Sequence, residues 1–129
     1  MKPKRLISLL VAVCMVVVML PVSAFAADTT EYTSGNYKYT LDSKGNATIT
    51  GYTVAGNDLV VPSEIDGYPV TVVGKYAFAQ KWGCTGTIEI PASVVKLDEG
   101  AFQWSEATKI IFAENSALKV VGIGAFSGC

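Results

Sequence analysis

The sequence predicts a β-rich solenoid of stacked repeats, entered through a β-hairpin and preceded by an N-terminal signal helix. Three observations lead there. Four apolar columns recur at a spacing of 24 residues between Val70 and Phe126. Two alternating apolar segments flank a glycine-bearing turn just upstream. The chain opens on a basic patch, a short apolar run and a small-residue triplet.

Taken in order, Lys2, Lys4 and Arg5 precede LISLLVAVCMVVVML, which is apolar at every position except Ser8. Pro21 breaks any helix there, and Ala24-Phe25-Ala26 offers small residues at the two positions a signal peptidase reads. Residues 1–26 therefore read as a Sec-type signal peptide, cleaved after Ala26, whose apolar run is short for a membrane span. Cys14 follows Val13 rather than a small residue, which argues against a lipoprotein. Removing 26 of the 129 residues leaves 103, enough for one domain with a modest core and no stable membrane span.

Residues 27–36, ADTTEYTSGN, are polar and turn-rich and read as a flexible linker. Tyr37 to Leu41 and Ala47 to Tyr52 then alternate and carry β-branched or aromatic residues, as half-buried strands do. Asp42 to Asn46 between them supplies a turn, with Gly45 free to take a positive φ. Residues 37–58 thus predict a β-hairpin that caps the first repeat.

Residues 59–129 repeat. The columns are Val70, Val94, Leu118; Val73, Leu97, Val121; Ala77, Ala101, Ala125; and Phe78, Phe102, Phe126. About three units result. The pairs Leu59 and Val61, Ile88 and Ile90, Ile110 and Phe112 mark short strands with one face inward, leaving Val60, Glu89 and Ile111 outward. One such unit exposes an apolar face it cannot bury alone. Stacking places Phe on Phe and Ala on Ala, each phenylalanine stabilising by roughly 1.5–3 kcal/mol.

The strings VVPSEIDGYPVTVVGKYAF, IEIPASVVKLDEGAF and IIFAENSALKVVGIGAFSGC resemble BspA-like leucine-rich repeats, over about residues 59 to 129. The resemblance implies a right-handed superhelix of short strands and short helical turns, exported to the bacterial cell surface and engaged in adhesion. Asp98 departs from the family's usual glycine. Trp104 and Ala107 lie where the second unit's cysteine is expected.

Composition excludes several functions. The processed chain holds seven lysines, no arginine and no histidine against eleven acids, so the footprint for nucleic acid is missing. Without histidine the commonest general base is absent, and Cys84 lacks the imidazole that activates a thiol. Cys84 and Cys129 read as small buried packing residues, too far apart for a mutual disulfide. Asp98 and Glu99 are adjacent, so they point different ways and read as a solvated turn. Asp42 to Asn46 begins like a calcium loop, but Thr53 occupies the position of its twelfth-residue carboxylate. Asn46-Ala47-Thr48 matches a glycosylation triplet that matters only in a eukaryotic host. No catalytic, cofactor or metal residues are assigned.

The predicted activity is therefore non-enzymatic binding of a protein or cell-surface glycan. Candidate contact residues are Trp82, Glu89, Lys96, Trp104 and Ile111, the tryptophans as exposed anchors. The rival readings are a targeting module of a larger secreted enzyme and a self-assembling surface protein. The ending GIGAFSGC supplies no polar cap for the last unit. It leads to the expectation that further repeats or another domain follow residue 129.

Overall fold

The computed structural model describes residues 30–53, 58–82 and 84–129. The signal peptide expected at residues 1–26 lies outside them. In chain order the strands are β1 (Tyr32–Ser34), β2 (Tyr37–Leu41), β3 (Ala47–Tyr52), β4 (Leu59–Val60), β5 (Glu64–Ile65), β6 (Tyr68–Val73), β7 (Thr87–Ile90), β8 (Lys96–Leu97), β9 (Lys109–Phe112) and β10 (Val120–Val121). Seven of them form one sheet in the order β1-β2-β3-β6-β8-β10, with β5 paired to β6; β4-β7-β9 form a second.

The hairpin forms because β2 and β3 each turn one face inward, burying Tyr39, Ala47 and Ile49. The Asp42 carboxylate closes its turn by accepting the N–H groups of Lys44 (2.8 Å) and Asn46 (2.9 Å). Those bonds hold its pKa below the usual carboxylate value. β1 starts inside the segment that the sequence assigns to a flexible linker, and it pairs antiparallel with β2.

Beyond the hairpin, and apart from the antiparallel β5–β6 pair within the first unit, the pairings in the repeats are parallel and step from unit to unit. Val72 lies beside Lys96 and Lys96 beside Val120, while Val73, Leu97 and Val121 make the adjoining row. The steps here equal the 24-residue period. β3 joins the same ladder, with Ala47 opposite Val70 and Ile49 opposite Val73. Gly74 allows this close approach, since a Cβ there would lie 2.6 Å from the Ile49 carbonyl oxygen.

Between the two sheets runs one core. Val70, Val73, Ala77, Phe78, Val94, Leu97, Ala101, Phe102 and Ala125 are buried, and Leu118 and Phe126 are half-buried. Val121 is 52% exposed, because no described unit covers the far side of β10. The tyrosines of the hairpin close the near end. Tyr52 and Tyr37 lie 5.3 Å and 6.5 Å from the Phe78 ring, and the Lys81 ammonium donates to the Tyr52 carbonyl.

Two expectations fail. The first is the helical turns: no described residue is helical. In their place stand three turn blocks, residues 75–80, 99–104 and 123–128. The N–H groups of Ala77 and Ala79 bond locally, three residues back. Those of Tyr76, Phe78 and Gln80 instead donate to Glu99, Ala101 and Gln103 of the next unit, at 3.1, 2.8 and 2.7 Å. The next block repeats the pattern, with Gly100, Phe102 and Trp104 donating to Ile123, Ala125 and Ser127.

The reason is backbone geometry. Tyr76, Gly100 and Gly124 have positive φ, and so do Gln80, Trp104 and Gly128. A helix requires successive right-handed residues with every N–H aimed back along one axis. Left-handed residues rotate alternate peptides, so half of the donors point along the stack. A hydrogen-bonded ladder between units replaces the helical turn.

The second correction concerns Cys129, which is exposed rather than buried; Cys84 is buried, and both thiols are free. Cys129 follows the third turn block and, among the described residues, lies against only one neighbouring unit. Its Sγ lies 3.2 Å from Ser105 Oγ and donates to the Phe102 carbonyl at 3.2 Å. Ser105, fully buried, stands 24 residues before Cys129 and, rather than Trp104 or Ala107, occupies the second unit's equivalent position.

Candidate binding face

The sheet β4-β7-β9 presents the clearest surface for a partner. Its register sets Leu59 beside Ile88 and Ile88 beside Ile110, with Val60, Glu89 and Ile111 in the adjoining row. Alternation along each strand sends the first row inward, where Leu59 and Ile88 are buried and Ile110 is half-buried. The second row faces out, and all three of its residues are exposed. Phe112, expected inward, is 46% exposed on β9, where no described strand pairs on the other side.

A shallow groove of about 310 Å³ runs past this row, lined by Val60, Val61, Pro62, Ser63, Glu89, Ile90, Pro91, Ile111 and Ala113. Glu89 is the sole charged side chain among those nine. The surface is thus an apolar strip carrying one carboxylate. It can exclude water from an apolar anchor and pair with one cation or donor of a partner, a non-covalent task.

Of the five candidate contact residues, Glu89 and Ile111 adjoin each other on this face. Lys96 is exposed on the other sheet, between Val72 and Val120. Trp104 belongs to the turn ladder, 45% exposed, with its ring packed on Gly128; a Cβ at Gly128 would lie 2.3 Å from the indole. Trp82 follows the first turn block and is 58% exposed. The five do not form one site. The sequence placed Val60 outward without making it a contact candidate, and sequence reasoning passed over Pro62 and Pro91, whose only signal was their place directly after the inward pairs.

Asp98 and Glu99 diverge. Asp98 Oδ1 accepts the Glu99 N–H at 2.8 Å, whereas the Glu99 side chain reaches Lys75 Nζ at 3.0 Å and accepts the Tyr76 hydroxyl at 3.0 Å. The Lys75 ammonium and then the Tyr76 hydroxyl hold the Glu99 carboxyl below the usual carboxylate range. Among the described residues, no three His, Cys, Asp or Glu side chains gather to hold a metal ion, and no helix is long and apolar enough to cross a membrane.

No protein-family model matches the chain, and no curated protein does. Solved structures do. A leucine-rich cell surface protein from Faecalibacterium prausnitzii matches with a TM-score of 0.72 and 26% identity, over 80% of this chain and 29% of that one. A leucine-rich repeat protein from Bacteroides capillosus matches with a TM-score of 0.59 and 27% identity, over 70% of each chain. The leucine-rich repeat protein of T. pallidum matches with a TM-score of 0.68 and 27% identity, over 78% of this chain and 46% of its own. The chain therefore spans under a third of the F. prausnitzii protein and under half of the treponemal one.

These likenesses, with the 24-residue stack, give the described residues a β-rich, solenoid-like fold similar to that of leucine-rich-repeat proteins, one of them a bacterial cell surface protein.

Proposed function

We propose that this leucine-rich-repeat protein is exported through its N-terminal signal peptide and serves in adhesion, as a BspA-like repeat protein of the cell surface. Its outward row Val60, Glu89 and Ile111 would dock a protein partner. The observation that carries this reading is the row itself. Parallel register sets two exposed aliphatic side chains on either side of one carboxylate, over a groove edged by two prolines. Rigid, short strands hold those groups without ordering them on binding, which lowers the entropic cost of association. The description of the F. prausnitzii protein as a cell surface protein supports the location.

The experiment is adhesion of beads coated with the purified chain to cultured epithelial cells. Ile111→Lys and Val60→Lys place charges on exposed positions without entering the core. Each is expected to reduce bead adhesion at least several-fold while leaving the melting temperature near that of the parent. Undiminished adhesion by both variants would remove this face from the function.

A further inference from the structure

Apart from that sheet face, the turn ladder holds a groove of its own, about 450 Å³ in volume and bordered by Tyr76, Ala79, Gln80 and Gln103. That volume lies within the roughly 300–1,000 Å³ of small-molecule sites. We propose that this groove binds a neutral sugar ring, stacked on Tyr76 and hydrogen-bonded by the carboxamides of Gln80 and Gln103.

The aromatic wall is held in place before any ligand arrives. Tyr76 donates its hydroxyl to Glu99 Oε1 at 3.0 Å, and its ring covers Gly100, where a Cβ would fall 2.2 Å from ring carbon Cε1. The ring nevertheless remains 47% exposed. A sugar presents a face of C–H groups to such a ring, and Tyr offers a large apolar contact with little rotamer freedom to lose.

The polar wall is uncommitted. Gln80 donates its backbone N–H to the Gln103 carbonyl at 2.7 Å, so the two residues are neighbours across units. No described group hydrogen-bonds either carboxamide. Each carries two donors and an acceptor, the complement needed for adjacent hydroxyls that both give and take hydrogen bonds.

Charge narrows the ligand. None of the four bordering residues is ionisable to a charge at neutral pH, and the neighbouring Glu99 is already paired with Lys75 at 3.0 Å. The nearby Lys75 ammonium, 5.9 Å from the centroid of the Tyr76 ring, is neutralised by that Glu99 pairing, so a uronic acid, sialic acid or phosphate would find no free cation there. A neutral hexose or N-acetylhexosamine fits.

The test uses the purified chain with its glutamine side chains labelled with nitrogen-15, titrated with maltose, cellobiose and N,N′-diacetylchitobiose at millimolar concentration. At least one disaccharide is expected to shift the carboxamide resonances of Gln80 and Gln103 saturably. Gln103→Ala and Tyr76→Ala should each weaken that response about tenfold, the loss of one stacking or hydrogen-bonding partner. Backbone amide spectra check that both variants are folded, and Gln103→Ala carries the test alone if Tyr76→Ala is not. Absence of any shift with all three sugars overturns the proposal. So do shifts that persist in the folded variants or that centre on Trp82. Ile111→Lys should leave the titration unchanged, so the sugar site and the sheet face succeed or fail separately.

Discussion

Phe102 stacks on Phe78 with ring centroids 5.2 Å apart and planes 16° from parallel. On its other side Phe126 repeats the arrangement at 5.6 Å and 5°. The middle ring is fully buried, with aromatic neighbours on both faces. Phe102→Ala should therefore cost about 3–5 kcal/mol of stability, read from urea or thermal melting. Phe126→Ala should cost less, because that ring is only half-buried and has one stacking partner. An unchanged melting curve for Phe102→Ala would show that like-on-like stacking does not hold the repeats together.

A second relationship is Tyr76 over Gly100. Gly100 has φ 61°, and an added methyl group would meet the Tyr76 ring at 2.2 Å. Gly35 has a similar φ of 57° with nothing nearby. Gly35→Ala should then carry only the left-handed penalty, about 1–2 kcal/mol, and Gly100→Ala should lose more. Adding Tyr76→Ala should bring the penalty at Gly100 down towards that at Gly35. A double-mutant cycle measures it, with additivity as the outcome that removes the steric account.

The junction between hairpin and first unit should be pH-dependent. Asp66 accepts the hydroxyls of Ser34 and Tyr39, both at 2.7 Å. The Ser34 bond first, then the Tyr39 bond, pull the Asp66 carboxyl below its ordinary value. Its contribution is present at neutral pH and is lost as pH falls through that depressed value. Tyr39 is pushed from 10.0 to about 12, chiefly by its bond to Asp66 and then by burial of the ring. That contribution is full below pH 10 and is lost as pH rises from 10 towards 12. Asp66→Asn should flatten both limbs of the stability–pH curve and bring the ionisation of Tyr39 to lower pH in a spectrophotometric titration.

Ser105 and Cys129 lie side by side in neighbouring units, Oγ to Sγ 3.2 Å. Ser105→Cys sets two thiols in neighbouring units close enough for a disulfide. Under oxidation it should lose two titratable thiols relative to its reduced form and raise the melting temperature. The parent chain should show no such change, since Cys84 and Cys129 are both free. Two persistent thiols in the oxidised variant would mean that the turn blocks do not hold these side chains in register.

Much of the architecture was legible because period and geometry coincide in it. Tyr37 to Leu41 and Ala47 to Tyr52 alternate with the two-residue period of a strand, and β2 and β3 have those bounds. Columns 24 residues apart become rows in register because parallel strands place equivalent residues opposite one another. The second sheet was harder to align, since Leu59 pairs with Ile88 and Ile88 with Ile110 at unequal steps. Unequal loops hide which outward residues adjoin. For that reason Val60, Glu89 and Ile111 could each be read as outward without showing that they form one row, and Pro91 went unnamed.

The Ala-Phe blocks were the place where reading failed. The helical turns expected there came from the family resemblance, and nothing in Tyr76, Gln80 or Trp104 announces a positive φ. Those residues are left-handed because the next unit stands ready to accept Tyr76, Phe78 and Gln80 as donors. A non-local partner decided the local conformation.

What the sequence determined by itself is the list of side chains that must leave water and the interval at which they recur. Burial is set by side-chain chemistry, and recurrence fixes which residues can touch. Only the tertiary structure decided how the backbone turns between those points, because each donor chooses between a carbonyl three residues back and one in the next unit. That choice places Tyr76 beside Gln80 and Gln103, as the parallel register of β4, β7 and β9 places Glu89 between Val60 and Ile111.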